Sequence, residues 1–137
     1  MREILFRGQS KADGRWVCGW YRKTRYRDTR YPGTTSIIVE YPVIYDLEQE
    51  ISEAVYDRTV GQYVGIEDST GNKIFEGDIL KNLFGEYGIV EYSDNFFYIR
   101  KALTNDYSPE CFSSSKVVGN IYDNPELIKA KKLDWRK

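Results

Sequence analysis

Apolar and polar positions alternate along most of this chain with a period of two, the spacing of half-buried β-strands. Near the start, Ile4, Phe6, Trp16, Cys18 and Trp20 alternate with polar or small residues on either side of Ser10-Lys11-Ala12-Asp13-Gly14. Asp-Gly tolerates the positive φ of a tight turn, so this stretch predicts a β-hairpin. Residues 22–35 are polar and basic with a Pro32-Gly33 turn signal, and read as a long exposed loop. Ser36–Tyr41 is β-branched and predicts a strand, with Pro42 confining it to an edge or an end. Residues 44–56 fit two patterns. Ile44, Leu47, Ile51 and Val55 share a helical face with Asp46 as a cap, while Ile51, Glu53 and Val55 alternate as a strand. The strand reading over 51–56 agrees better with its neighbours.

A second hairpin follows. Val60, Gln62, Val64 and Ile66 lead into the turn cluster Glu67–Asn72, and Lys73-Ile74-Phe75 returns. Gly77-Asp78 makes a bend into Ile79-Leu80-Lys81. Tyr87–Tyr92, a Ser93-Asp94-Asn95 turn and Phe96–Arg100 continue as a meander, and Lys116–Tyr122 is the last strand. Asn124, Pro125 and Glu126 suit the N-cap and first turn of a short helix. Gly65 and Gly119 lie inside strand patterns and suggest bulges or close backbone approach. The predicted fold is mainly β: a small barrel-like meander, SH3-like in style, with an added N-terminal β-hairpin lobe and a short C-terminal helix. One domain spans 1–128, with lobes 1–56 and 57–128, and 129–137 is a basic tail. The expected core is Ile4, Phe6, Val17, Val60, Val64, Ile79, Ile89, Val90, Ile99, Val118 and Ile121.

Composition sharpens this picture. Aromatics reach 15% of 137 residues, with 12 Tyr, 6 Phe and 3 Trp, which suits strands wet on one face. The net charge of −1 hides strong segregation. Residues 1–30 hold nine Lys/Arg against three Asp/Glu, a net +6, and residues 31–57 hold six Asp/Glu and no Lys/Arg, a net −6. The last nine residues carry five Lys/Arg against Asp134, a net +4. Such blocks attract each other, a second copy or a polyanion.

Histidine is absent, which removes the commonest general base and metal ligand and excludes Ser-His-Asp triads. Cys18 and Cys111 show no C-x-x-C spacing and read as buried thiols. No phosphate-binding loop or dinucleotide fingerprint occurs. Glu67, Asp68, Glu76 and Asp78 are formally available for cation or acid–base chemistry, but turn carboxylates ordinarily bond to their own backbone. The sequence therefore points to no enzyme, no catalytic residues, no metal and no cofactor. The start at Met1 has an apolar run of only Ile4-Leu5-Phe6, and no segment approaches the roughly 20 apolar residues of a spanning helix. A cytoplasmic protein without membrane contact is expected.

Three stretches resemble the YopX family of phage and prophage proteins. They are Phe6-Arg7-Gly8 with Gly14-Arg15-Trp16-Val17 and Gly19-Trp20-Tyr21; Thr59–Gly65 running through Asp68 and Gly71–Ile79; and Val118–Leu127. Gly88–Tyr92 also fits. The segment Arg22–Glu53 matches little of the family pattern, and Asp57-Arg58 stands where the family tends to have a proline. The resemblance implies a phage-encoded protein with a small β-barrel arrangement and extra strands. It carries no activity over to particular residues.

The primary functional expectation is a non-catalytic binding or assembly protein, acting on a protein partner or as a homo-oligomer. The alternative is a weak single-stranded nucleic-acid binder using Arg15, Trp16, Trp20, Arg22, Lys23, Arg25, Tyr26 and Arg27, because such binders combine cations for phosphates with rings for base stacking. Two other readings compete: Trp16 and Trp20 face a core while the cations coat a solvated loop, or this loop pairs with the acidic 40–57 segment, in cis or across subunits. A sequence pI near 5.6 weighs against a dedicated nucleic-acid binder.

Overall fold

In the computed structural model, residues 4–28, 37–93, 96–102, 107–108 and 114–128 are described. The chain forms two units, one Ile4–Val60 and the other built on Gly61–Lys137. Both are antiparallel β-structures.

In the N-terminal unit the strands are β1 (Phe6–Gln9), β2 (Trp16–Asp28), β3 (Ile37–Asp46) and β4 (Ile51–Ala54). They lie side by side in the order β4-β3-β2-β1. The first hairpin forms as the sequence predicts, with Gly8 opposite Val17 and Gly14 at φ 78 closing the turn. The polar run after Tyr21 is not a loop up to Asp28. It extends β2, pairing residue by residue from Arg22↔Val43 to Asp28↔Ile37. Thr24 and Tyr26 are good strand formers, and Lys23 and Arg25 gain cross-strand acidic partners. The rest of the predicted loop, with Pro32-Gly33, lies outside the described residues.

Pro42 does not end its strand either. It sits mid-β3 opposite Lys23, and its carbonyl accepts the Val55 N–H at 3.1 Å. Its missing N–H therefore faces the β4 side, so the ladder to β2 loses no bond. Beyond Asp46 the helical spacing yields only a turn. The Asp46 carboxylate accepts the Glu48 and Gln49 N–H groups at 2.9 and 3.1 Å, Glu50 takes φ 57, and the chain returns as β4. The core here is Val17, Ile44 and Val55, with Phe6, Tyr21 and Val60 packed against it. Ile4 is 65% exposed, and its neighbour Leu5 is buried in its place, a one-residue shift that reverses the face of an extended chain. Cys18 is exposed rather than buried, because it alternates with the core residue Val17; Cys111 lies outside the described residues.

The second unit contains β5 (Gly61–Glu67), β6 (Lys73–Phe75), β7 (Asp78–Lys81), β8 (Tyr87–Ser93), β9 (Phe96–Lys101), β10 (Tyr107–Ser108) and β11 (Lys116–Asn120). The last five make an open sheet in the order β10-β9-β8-β7-β11, without closing into a barrel. Val64, Ile74, Leu80, Val90 and Ile99 form the core, with Phe97 and Val117 against it. Register shifts accompany Gly65 in β5 and Gly119 in β11. At Gly119 a side chain would meet the Asn124 amide, so the close approach read from the sequence is real. One helical turn follows at 126–128. Asn124 does not cap it with its side chain; its Oδ1 accepts the Asn120 N–H at 3.2 Å instead.

Candidate functional site

The register of β2 against β3 sorts the basic-aromatic strip onto two faces. Residues of a strand alternate in direction, so Trp16, Trp20, Arg22 and Tyr26 share one face, and Lys23, Arg25 and Arg27 share the other. On the first face Trp20 lies opposite Tyr45, and the two rings stack with centroids 6.1 Å apart at 27°. Tyr26 meets Tyr41 edge-on at 5.7 Å, a diagonal pair. Trp20 is 62% exposed and Tyr26 is also exposed. Nearer β1 the Arg7 guanidinium lies 4.9 Å from the centroid of the half-buried Trp16 ring. A cleft of about 380 Å³ opens beside the stack, lined by Trp20, Tyr21, Arg22, Tyr45 and Ser52. Among the described residues no carboxylate pairs with Arg22.

On the opposite face the cations have acidic partners from the 40–57 segment. Arg25 Nε donates to Glu40 at 2.9 Å, and Lys23 Nζ lies 3.6 Å from Asp57 and 3.9 Å from Glu40. The Tyr21 hydroxyl donates to Asp57 at 2.7 Å. Burial, that bond and the charges of Asp57 and Glu40 push the Tyr21 phenol up to about 12. At the start of β2, Arg15 reaches Glu53 at 2.7 Å, Asp13 at 3.1 Å and Asp46 at 3.8 Å. The eight strip residues are therefore not one surface: Arg15, Lys23 and Arg25 pair with acids in cis, while Trp20, Arg22 and Tyr26 form an open aromatic face. Tyr41 and Tyr45, which complete it, were absent from the sequence-derived strip. The period-two pattern through Tyr41, Val43 and Tyr45 was the available signal, obscured by Pro42.

The ribbon also outruns its neighbours. β1 covers β2 only from Trp16 to Gly19, and β4 covers β3 only from Val43 to Asp46. Among the described residues no strand of this unit pairs with the outer edge of β2 beyond Trp20, or with that of β3 before Pro42.

Two of the turn carboxylates of the second unit, Asp68 and Asp78, accept backbone N–H groups. Asp68 accepts N–H groups of Thr70, Asn72 and Val117 at 2.8, 2.9 and 2.8 Å. Burial raises its pKa, but these bonds outweigh it and hold the group well below the usual carboxylate range. Asp78 is buried and accepts the Phe75 N–H at 2.8 Å. Among the described residues no group of three or more His, Cys, Asp or Glu is placed to hold a metal ion, and no helix is long and apolar enough to cross a membrane.

Fold and surface together define a small antiparallel β-protein with an exposed aromatic ribbon. The YopX family, described as YopX protein, matches residues 6–129, and the chain belongs to it. Among solved structures it is similar to protein EF1440 from Enterococcus faecalis, at 22% identity and a TM-score of 0.51, over 93% of this chain and 99% of that one. That likeness concerns the fold. No functionally curated protein matches the sequence.

Proposed function

We propose that this YopX-family protein is a non-catalytic binding or assembly protein of the phage or prophage that encodes it, working in the cytoplasm, and that it recognises an extended protein segment on the β2–β3 ribbon. The observation that carries the reading is the Trp20–Tyr45 stack, exposed beside a cleft and next to Arg22. Aromatic residues and arginine are the usual anchors of protein interfaces. An open strand edge alongside supplies backbone donors and acceptors for an added strand. A partner segment with apolar side chains and a carboxylate fits Trp20, Tyr45 and Arg22 together. Cis pairing of Arg15, Lys23 and Arg25 weakens the nucleic-acid alternative, since phosphate binding depends on uncompensated cations.

The test is affinity capture from phage-bearing cells with the wild-type protein and with Trp20→Ala/Tyr45→Ala, whose circular dichroism should match. A defined protein held by the wild type and lost with the variant supports the reading. Equal capture by both, or binding of single-stranded DNA or RNA that weakens steeply with salt, overturns it. Light scattering on a sizing column distinguishes a second copy from a different partner.

A further inference from the structure

The C-terminal unit holds a second cavity of about 270 Å³, lined by Glu76, Glu91, Tyr92, Tyr98, Arg100 and Tyr122 together with aliphatic residues of β8. Its floor is tied down. Gly77, at φ 93, donates its N–H to the Val90 carbonyl at 2.9 Å and accepts the Ile121 N–H at 3.0 Å. The Tyr122 ring lies against Gly77 so closely that a Cβ would come within 3.2 Å of it. The bend carrying Glu76 and the ring of Tyr122 therefore hold each other in place.

The charges of this cavity do not cancel. Glu91 is neutralised by Arg100, whose Nε donates to it at 2.7 Å. Glu76 is half-buried, and among the described residues no cation pairs with its carboxylate. Burial raises its pKa, a hydrogen bond from the Gln62 backbone lowers it, and the Glu91 charge raises it further, leaving it above the ordinary value. A carboxylate in this condition is stabilised by an incoming positive charge, and the faces of tyrosine rings also favour a cation. We propose that this cavity binds a primary ammonium group at the end of a short alkyl chain, with Glu76 as its counter-ion. A free alkylamine and a lysine side chain of another protein share this chemistry. The site is independent of what occupies the ribbon.

The test is an NMR titration of the full-length, isotopically labelled protein at low salt with n-butylammonium chloride, n-butanol and Nα-acetyl-lysine methylamide. Butylammonium should shift the amides around Glu76, Val90 and Tyr122. Butanol should bind about tenfold more weakly or not at all, and so should butylammonium to E76Q. Binding should also weaken from about pH 7 to about pH 4 as Glu76 takes up a proton, a comparison on the wild type that stands even if E76Q misfolds. Tighter binding of the lysine derivative than of butylammonium assigns the site to a protein-borne lysine, and the reverse to a free amine. No shifts with butylammonium, equal binding of butanol, or unchanged affinity in E76Q would overturn the proposal.

Discussion

The Asp68 carboxylate accepts the Val117 backbone N–H at 2.8 Å, tying the β5–β6 turn to β11 across 49 positions of sequence. The same side chain closes its own turn through Thr70 and Asn72. One carboxylate thus fixes a local turn and a long-range strand contact.

Removing it should cost more than a surface charge. Asp68→Ala leaves donors unsatisfied, each worth about 1–3 kcal/mol when buried, so urea unfolding should show a loss of about 2–4 kcal/mol. The pH dependence follows from the sign of the shift. The folded pKa lies below the unfolded value, so the stabilisation is present above the ordinary carboxylate range and is lost as pH falls through and below it. Wild-type stability should drop on acidification, and the Asp68→Ala protein should show a shallower drop.

Ile44 and Ile4 provide a paired test of the N-terminal core. Ile44 is fully buried and Ile4 is 65% exposed. Ile44→Ala should destabilise by about 2–5 kcal/mol, whereas Ile4→Ala should stay within about 0.5 kcal/mol. Comparable losses in thermal unfolding would contradict the observed facing of this segment.

Glu40 and Asp57 hold Lys23 and Arg25 on the cation-rich face of the ribbon. If this pairing is what keeps polyanions away, E40Q/D57N should bind single-stranded DNA at low salt where the wild type binds weakly or not at all, with a steeper salt dependence. Both carboxylates are substantially exposed, so unfolding should shift by no more than about 1 kcal/mol. Unchanged DNA binding in the variant would show that cis pairing is not the controlling feature.

Glu76 should respond to pH in the opposite sense to Asp68. Its folded pKa is raised, so its contribution is favourable below the ordinary carboxylate range and is lost as pH rises through the folded value. E76Q should therefore melt above the wild type near neutral pH, and the gap should narrow in acid. Equal melting temperatures across the range would refute the burial and charge ascribed to this group.

Much of this molecule was legible before its tertiary structure. Asp13-Gly14, the Glu67–Asn72 cluster and Gly77-Asp78 are punctuation with local physical causes, and the hairpins formed around them. Val17, Val64, Ile79, Ile89, Val90 and Ile99 are buried as expected, although the adjacent Ile89 and Val90 lie on opposite faces of β8 and only tertiary packing covers both. The aromatic content, the charge blocks and the family pattern needed no coordinates. Where local signals conflicted, long-range pairing decided. Arg22–Asp28 looks like loop because its side chains are polar, yet β3 offers a partner for each residue. The cap at Asp46 is equally good for a helix or a turn, and the turn wins because β4 returns along β3. Likewise, composition alone places Trp20, Lys23 and Arg25 in one strip. Only register could separate them, because side-chain direction alternates along a strand and the partner across the ladder is set by contacts far away in sequence.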